Sequence, residues 1–171
     1  MIPQINIQTS RLLLREILQG DAGDLFALRL NEEVNKYLDR KLVESVEEVK
    51  MLIMKLKADI ASCKAFYWVI IDLESKVLIG TVCLFNFSKE MASGELGYEL
   101  LPEFHGKGIM TEALKPIIDF GFRSVGLREI EAFTDQNNMP SIRLLERLGF
   151  NKTSKSDKTN PQFICYNLYL Q

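Results

Sequence analysis

The sequence predicts a mixed α/β fold of α+β character: a central mixed, mostly antiparallel sheet of about six to seven strands, flanked by helices on both faces. Three observations predict it. Strand-forming blocks follow one another from Phe66 to Leu101 with breaks short enough for antiparallel returns. From Ser93 onward strand-like and helix-like segments alternate, and a strand–helix–strand unit fed by a meander gives a sheet of mixed direction. Helical periodicity is strong at about Ser45 to Ser62 and again from Gly106.

In chain order, Arg11 to Ile17 is the first strand, with Leu12, Leu13 and Leu14 as an apolar run between charges. Asp21 is placed to cap a helix carrying Leu25, Phe26, Leu28 and Leu30. Ser45 and Glu48 fit a capping box for the next helix, in which Val46, Val49, Ile53, Leu56 and Ile60 share a face. Strands follow at Phe66 to Asp72, Val77 to Phe87 and Ser93 to about Leu101. Met110, Ala113, Leu114, Ile117, Gly121 and Phe122 then trace a helix to about Ser124, with Pro116 expected to bend it. Glu129 to Thr134 is a strand and Ser141 to Leu148 a helix, stopped by Gly149 with Phe150 after the cap. Strands near Asn151 to Lys155 and Gln162 to Leu170 finish the chain.

The 171 residues suit one domain, 1–171, with one hydrophobic core. A net charge of -2 offers no broad positive field for a nucleic-acid backbone, so nucleic acid is not expected as the main ligand. Cys63, Cys83 and Cys165 lack metal-ligand spacing and read as reduced, buried thiols; with one histidine in the chain, no metal site is expected. The stretch MIPQINIQTSR lacks the pattern of a secretory leader, and no apolar run nears the roughly 20 residues that span a bilayer. The expected location is cytoplasmic, away from membranes.

The most informative segment runs from Glu95 to Leu114: a strand, a turn with Gly106 and Gly108, and the start of an amphipathic helix. The first N–H groups of a helix have no internal partner and sit at its positive pole, so such a junction attracts an anion such as a diphosphate. Glycine accepts the torsions of a tight turn and keeps side chains off the amides. Two glycines before a helix are equally read as a plain turn, and Lys107 as a solvated turn residue. A dinucleotide-binding turn is the rival, because Glu129 or Glu131 lies roughly 20 to 25 residues downstream. It fits poorly: Thr111 stands where that fingerprint needs glycine or alanine, and the preceding strand ends a meander.

The run LLPEFHGKGIMTEAL resembles the acetyl-coenzyme A loop of the GCN5-related N-acetyltransferases (GNAT), with the pattern Gln or Arg, two residues, Gly, one residue, Gly or Ala. His105 and Met110 depart from the two end positions; Gly108 matches the central glycine. Asn138 to Phe150 resembles the NxxSxxxLExxGF segment of the RimJ/RimL-like branch, which acetylates ribosomal-protein N-termini. Thr9 to Arg15 and Leu78 to Val82 resemble that branch's opening strand and its Ile-Gly hairpin strand. The resemblance spans nearly the whole chain.

It implies a GNAT-like fold and an N-acetyltransferase (a transferase of the acyltransferase class) that moves an acetyl group from acetyl-CoA, its co-substrate, to a primary amine by direct attack. The implied coenzyme contacts are Leu100 and Leu101 as strand edge, then His105, Gly106, Lys107, Gly108, Ile109, Met110 and Thr111, with Asn138. His105 takes the Gln/Arg position at the coenzyme end. Ser141 is implied as proton donor to the leaving thiolate, since the tyrosine many relatives carry seven residues after the asparagine is Leu145 here; from spacing alone Ser141 is equally a helix cap. An α-amino group titrates near ~8 and a coenzyme thiol near about 8.5, so a weak base and a modest acid suffice. Glu95 and Glu99 are the candidate bases, and each is equally an exposed strand carboxylate.

The missing tyrosine leaves open a non-catalytic acyl-CoA-binding or regulatory module. Acceptors range from protein or peptide N-termini of ribosomal type to small amines, because the acceptor groove belongs to the early helices, about Asp21 to Ser62. Glu32, Glu33, Glu44 and Glu47 there favour a cationic acceptor, or are solvated helix faces. The expected assembly is a monomer or homodimer.

Overall fold

In the computed structural model, which describes residues 4–157 and 159–170, eight strands make one sheet. They are β1 (Ile7–Gln8), β2 (Leu12–Glu16), β3 (Phe66–Asp72), β4 (Leu78–Phe85), β5 (Ser93–Leu100), β6 (Glu129–Asp135), β7 (Asn151–Ser156) and β8 (Phe163–Tyr169). Their spatial order is β1-β2-β3-β4-β5-β6-β8-β7, and every neighbouring pair is antiparallel except β5 with β6. The mixed, largely antiparallel sheet is the expected one. Its strand count exceeds six to seven because β1, two residues paired with Leu13 and Leu14, is too short to leave a periodic signal. Residues 1–3 of the N-terminal stretch considered above, and residue 171, lie outside the described residues.

Among the described residues five α-helices accompany the sheet: α1 (Ala22–Leu30), α2 (Glu32–Asn35), α3 (Val46–Ala61), α4 (Ile109–Phe120) and α5 (Met139–Arg147). The four-residue α2 was not foreseen; Asn31 caps it by accepting from Val34 N at 3.1 Å. Ser45 caps α3 as expected, accepting from Glu48 N at 3.2 Å, but the returning Glu48 carboxylate takes the N–H of Glu44 rather than that of Ser45. Asp21 precedes α1 without capping it: its carboxylate accepts from Leu18 N and pairs with Arg15 at 2.7 Å instead. Pro116 does not break α4, which reaches Phe120 and then widens into a π-helical turn at Gly121–Val125. Gly149 ends α5 at φ 89, with Phe150 N donating to Leu145 O and Gly149 N to Glu146 O, the expected glycine cap.

Strand alternation divides the apolar residues into two clusters, one on each face, where one core was expected. The odd residues Tyr67 and Val69 of β3 meet α1 and α3 through Leu25, Leu28, Val49 and Ile53. Phe66, Trp68 and Ile70 face the other way, toward α4 and α5. There Phe120 packs edge-on against both Phe66 and Trp68, with ring centroids 5.1 and 5.3 Å apart. Of the thiols, Cys165 is buried, while Cys63 and Cys83 are only partly so. No helix among the described residues is long and apolar enough to cross a membrane.

Candidate active site

Strands β5 and β6 pair over only three positions, Ser93 to Glu95 against Glu129 to Glu131. Beyond them β5 stays on β4 as far as Gly80 opposite Leu100, while β6 stays on β8 as far as Asp135 opposite Phe163. The sheet therefore opens as a V. Its last closed pair sets Glu95 beside Glu131, two carboxylates on one face, a pairing that disfavours continuation. Gly80 is needed on the closed side, since a Cβ there would stand 2.3 Å from Glu99 O.

The register determines which groups face the opening. Leu101 N donates to Ile79 O, so in the antiparallel alternation the odd residues of β5 direct their main chain to β4. The even residues Leu96, Tyr98 and Leu100 direct theirs into the V. His105 enters the same edge: Leu100 O can only accept, so the ring's Nε2 carries the hydrogen of that 2.9 Å bond. Leu101, expected at the edge, is occupied, with its N–H on Ile79 O and its C=O accepting from Phe104 N.

Past a 3-10 turn at Pro102–Phe104 the chain reaches Gly106 (φ 71) and Gly108 (φ 73), both left-handed. Space is not what demands glycine here. A Cβ at Gly106 meets nothing within 4 Å, and one at Gly108 only Arg11 Nη2 at 3.7 Å, so the torsion is the constraint. Among the described residues, none of the main-chain N–H groups of residues 106–111 donates to a protein acceptor, so six successive donors are presented where α4 begins.

This loop is fastened from outside. Glu112 Oε1 accepts from Thr9 Oγ1, Ser10 Oγ and Arg11 N, and Oε2 accepts from Arg11 Nε at 2.7 Å. The same guanidinium donates to Lys107 O at 3.0 Å. Burial opposes the Glu112 charge, yet these hydrogen bonds outweigh it and hold its pKa down at about 2. The Lys107 side chain lies over the Phe104 ring.

On the α4–α5 face of the V, Asn138 caps α5 by accepting from Ser141 N at 3.2 Å. The helix thus starts at Met139, and Ser141 is its third residue rather than its cap. That leaves the Ser141 hydroxyl for Tyr98 Oη, 2.7 Å away. Burial pushes the Tyr98 phenol up to about 12 despite this bond, so it stays protonated and can donate.

On the opposite face Glu99 is buried, accepting from Arg40 Nη1 at 2.6 Å and from Thr81 Oγ1 at 3.1 Å. Glu95 lies nearer the apex, accepting from Asn86 Nδ2 at 2.9 Å; its pKa is raised, chiefly by burial and further by Glu131.

A cleft of about 520 Å³ joins these parts. It is lined on the glycine-loop side by His105, Gly106, Gly108, Ile109, Met110 and Thr111, on the α5 side by Asn138, Ser141, Arg143 and Arg147, and at the strand edge by Tyr98, Glu99 and Leu100. The outer wall is Glu33, Val34, Lys36, Tyr37 and Leu38. Glu95, Leu101 and Lys107 do not line it. Sequence reasoning missed Tyr98, although its parity with Leu96 and Leu100 placed it on the edge. It also missed Arg40, which no motif marks and which lies 59 residues from its partner. Among the described residues no group of His, Cys, Asp and Glu has a metal-binding arrangement.

Residues 11–151 match the family model of the acetyltransferase (GNAT) domain. The Bacillus subtilis (strain 168) protein described as uncharacterized N-acetyltransferase YoaA is 33% identical over 146 residues, covering 85% of this chain and 82% of that one. The structure of a putative ribosomal-protein-serine acetyltransferase from Vibrio cholerae superposes with a TM-score of 0.85 at 25% identity, over 99% of this chain and all of that one. RimL, described as a ribosomal α-N-protein acetyltransferase in complex with coenzyme A, has the same fold: TM-score 0.85, 18% identity, 97% and 98% coverage. A motif-bearing loop, a splayed parallel pair and a family match over most of the chain agree: the protein belongs to the GNAT family and is an N-acetyltransferase.

Proposed function

We propose that the protein transfers an acetyl group from acetyl-coenzyme A to a primary amine by direct attack, within the cleft at the β5–β6 opening. The observation that carries this is the run of unpaired amides at 106–111 opening onto the same cleft as the unpaired edge of β5. The coenzyme A complex of the RimL structure supports it. These groups suit the coenzyme: amides at a helix's positive end complement a diphosphate, and main chain of Tyr98 and Leu100 complements the amides of a pantetheine arm. When bound, the thioester supplies the electrophilic acetyl carbon.

The roles assigned to this chain follow from position. The amides of 106–111 hold the diphosphate, with Gly106 and Gly108 permitting their direction. Leu100 N–H and the Tyr98 main chain pair with the arm, and His105 steadies that edge through Leu100 O. Ser141 donates a proton to the departing sulfur, its hydroxyl oriented by Tyr98. Glu99, in the cleft wall, receives the acceptor's ammonium; Glu95, off the cleft, is better suited to a water-relayed proton. The reaction balances as the bound ammonium losing one proton before attack and a second as its nitrogen bonds to the acetyl carbon, while the carbon–sulfur bond breaks and sulfur gains one proton, so that one proton is released in net.

Two acceptor kinds compete: peptide N-termini, supported by the ribosomal-protein-serine acetyltransferase structure, and small amines. Calorimetry with acetyl-coenzyme A, followed by thiol release against peptide and small-amine panels, tests the reading. Binding with amine-dependent thiol release is expected. Binding without turnover on any amine would leave a coenzyme-binding module, and no binding at all would end the proposal.

A further inference from the structure

Three buried side-chain polar atoms lack a hydrogen-bond partner among the described residues, and all three belong to one cluster: Arg29 Nε, Arg40 Nη2 and Tyr67 Oη. The cluster surrounds Glu99. Arg40 is bonded to it, and Arg29 and Tyr67 lie beside it and beside each other, with Thr81 also next to the Tyr67 phenol. Tyr67 is 4% exposed. Leaving a buried donor unpaired is costly, and each such group in a folded protein calls for an explanation.

The chemistry of the unpaired atoms is one-sided. Both guanidinium atoms can only donate, and a protonated phenol donates as well. Two guanidinium charges face one carboxylate, so the cluster is a cation overall, short of acceptor oxygens. The neighbouring charges do not change this: Glu33 and Lys36 of the cleft wall pair with each other, and Glu95 lies four residues along the strand, bonded to Asn86. Glu44 and Glu47, candidates for attracting a cationic acceptor, pair with Lys41 and Lys50 on the surface. Arg40 itself sits on residues 38–45, which have no helix or strand; its side chain is 21% exposed and, without lining the cleft, meets it through its bond to Glu99, which does.

Resting on the acetyltransferase reading above, we propose that the acceptor is a free α-amino acid, its ammonium taken by Glu99 and its carboxylate by Arg40 with Arg29 and Tyr67 behind it. An ammonium and a carboxylate on the same carbon match a carboxylate and a guanidinium already side by side, and the added carboxylate brings acceptor oxygens to a cluster short of them. A polyamine would bring positive charge to an already cationic cluster. A peptide N-terminus has an amide where the carboxylate is wanted.

The test is thiol release from acetyl-coenzyme A by the full chain with free amino acids, the α-amides of the same amino acids, a tetrapeptide amide and spermidine. The expected result is kcat/KM at least about 30-fold higher for the best amino acid than for its own amide, with spermidine lower still. Arg40→Gln should shrink that ratio at least about tenfold through KM, with acetyl-coenzyme A affinity by calorimetry unaltered. Tyr67→Phe, which keeps the ring in place, should shrink it less and in the same direction. The proposal is overturned if amides, the peptide or spermidine match the amino acids, or if Arg40→Gln lowers both members of a pair equally. Absence of coenzyme binding to the wild-type chain would instead overturn the acetyltransferase reading beneath it.

Discussion

The two ends of the cleft are built from different materials, and their sequence footprints differ accordingly. At the proposed coenzyme end the working groups are main-chain: six amides at the start of α4 and the edge of β5, arranged by two left-handed glycines. At the proposed acceptor end they are side chains, Glu99 in the cleft wall with Arg40, Arg29 and Tyr67 behind it, contributed by β5, the 38–45 segment, α1 and β3. A main-chain site needs only local torsions, so one short stretch of sequence encodes it. A side-chain site converges from distant positions, and its composition can change while the fold stays constant.

The sharpest way to break the comparison is Gly108→Glu. A non-glycine residue at φ 73 costs about 1–2 kcal/mol of strain, and a carboxylate there would also face the proposed diphosphate. Calorimetry should show acetyl-coenzyme A affinity falling on the order of 100-fold or more. Unchanged affinity would mean the main-chain cradle is not the binding element.

A smaller effect is expected on the α5 side. Ser141→Ala should lower kcat about 10- to 100-fold, at the modest end for acid catalysis because a coenzyme thiol is itself a fair leaving group. Tyr98→Phe should lower it less, since it removes only the group that orients the hydroxyl. Both should leave coenzyme affinity nearly constant by calorimetry. A large loss of affinity would recast the pair as part of the binding wall.

The same division explains what could be read from sequence. The loop, its glycines and the α5 segment were visible because each rests on a local pattern: left-handed torsions, a helix start, an Asn cap and a Gly149 stop. Seven of the eight strands were expected, six of them because they alternate or run apolar long enough to register; β7, NKTSKS, carries no apolar residue. The two-residue β1 and the single-turn α2 were not, being shorter than the period that would reveal them. Arg40 was invisible because its position next to Glu99 is set by how the segment after α2 folds over the sheet. Tyr98 was legible in parity but masked by the family expectation of a tyrosine at the place of Leu145. Leu101 was placed at the coenzyme edge by the resemblance, and the register turned its main chain to Ile79 instead.

Glu112 links the coenzyme loop to the first hairpin, and its contribution is expected to depend on pH. Its folded pKa of about 2 lies below its ordinary value, so the stabilisation is fully present above the unfolded value, near 4.5, and is lost as pH falls toward 2. Charge-assisted hydrogen bonds of this kind contribute roughly 2 kcal/mol. In denaturant titrations Glu112→Gln should be less stable than the wild type at pH 7, with the gap closing between about pH 4.5 and 2. A constant gap across that window would show that the carboxylate's charge is not what fastens the loop.

The smallest expected effect separates two roles of one residue. Asn138 caps α5 with its Oδ1, while its Nδ2 lacks a protein acceptor among the described residues and its side chain lines the cleft. Asn138→Ala removes both functions and should cost about 1 kcal/mol, a fall in Tm of roughly 2–4 °C for a chain of this length. Asn138→Asp keeps a good cap but deletes the amide donor, so its Tm should stay near the wild type. If Nδ2 reaches the coenzyme, the aspartate variant should still bind acetyl-coenzyme A several-fold more weakly, placing Asn138 with the main-chain donors of the coenzyme end. Should affinity instead follow Tm across both variants, the residue acts only by holding α5, and through it Ser141, against Tyr98.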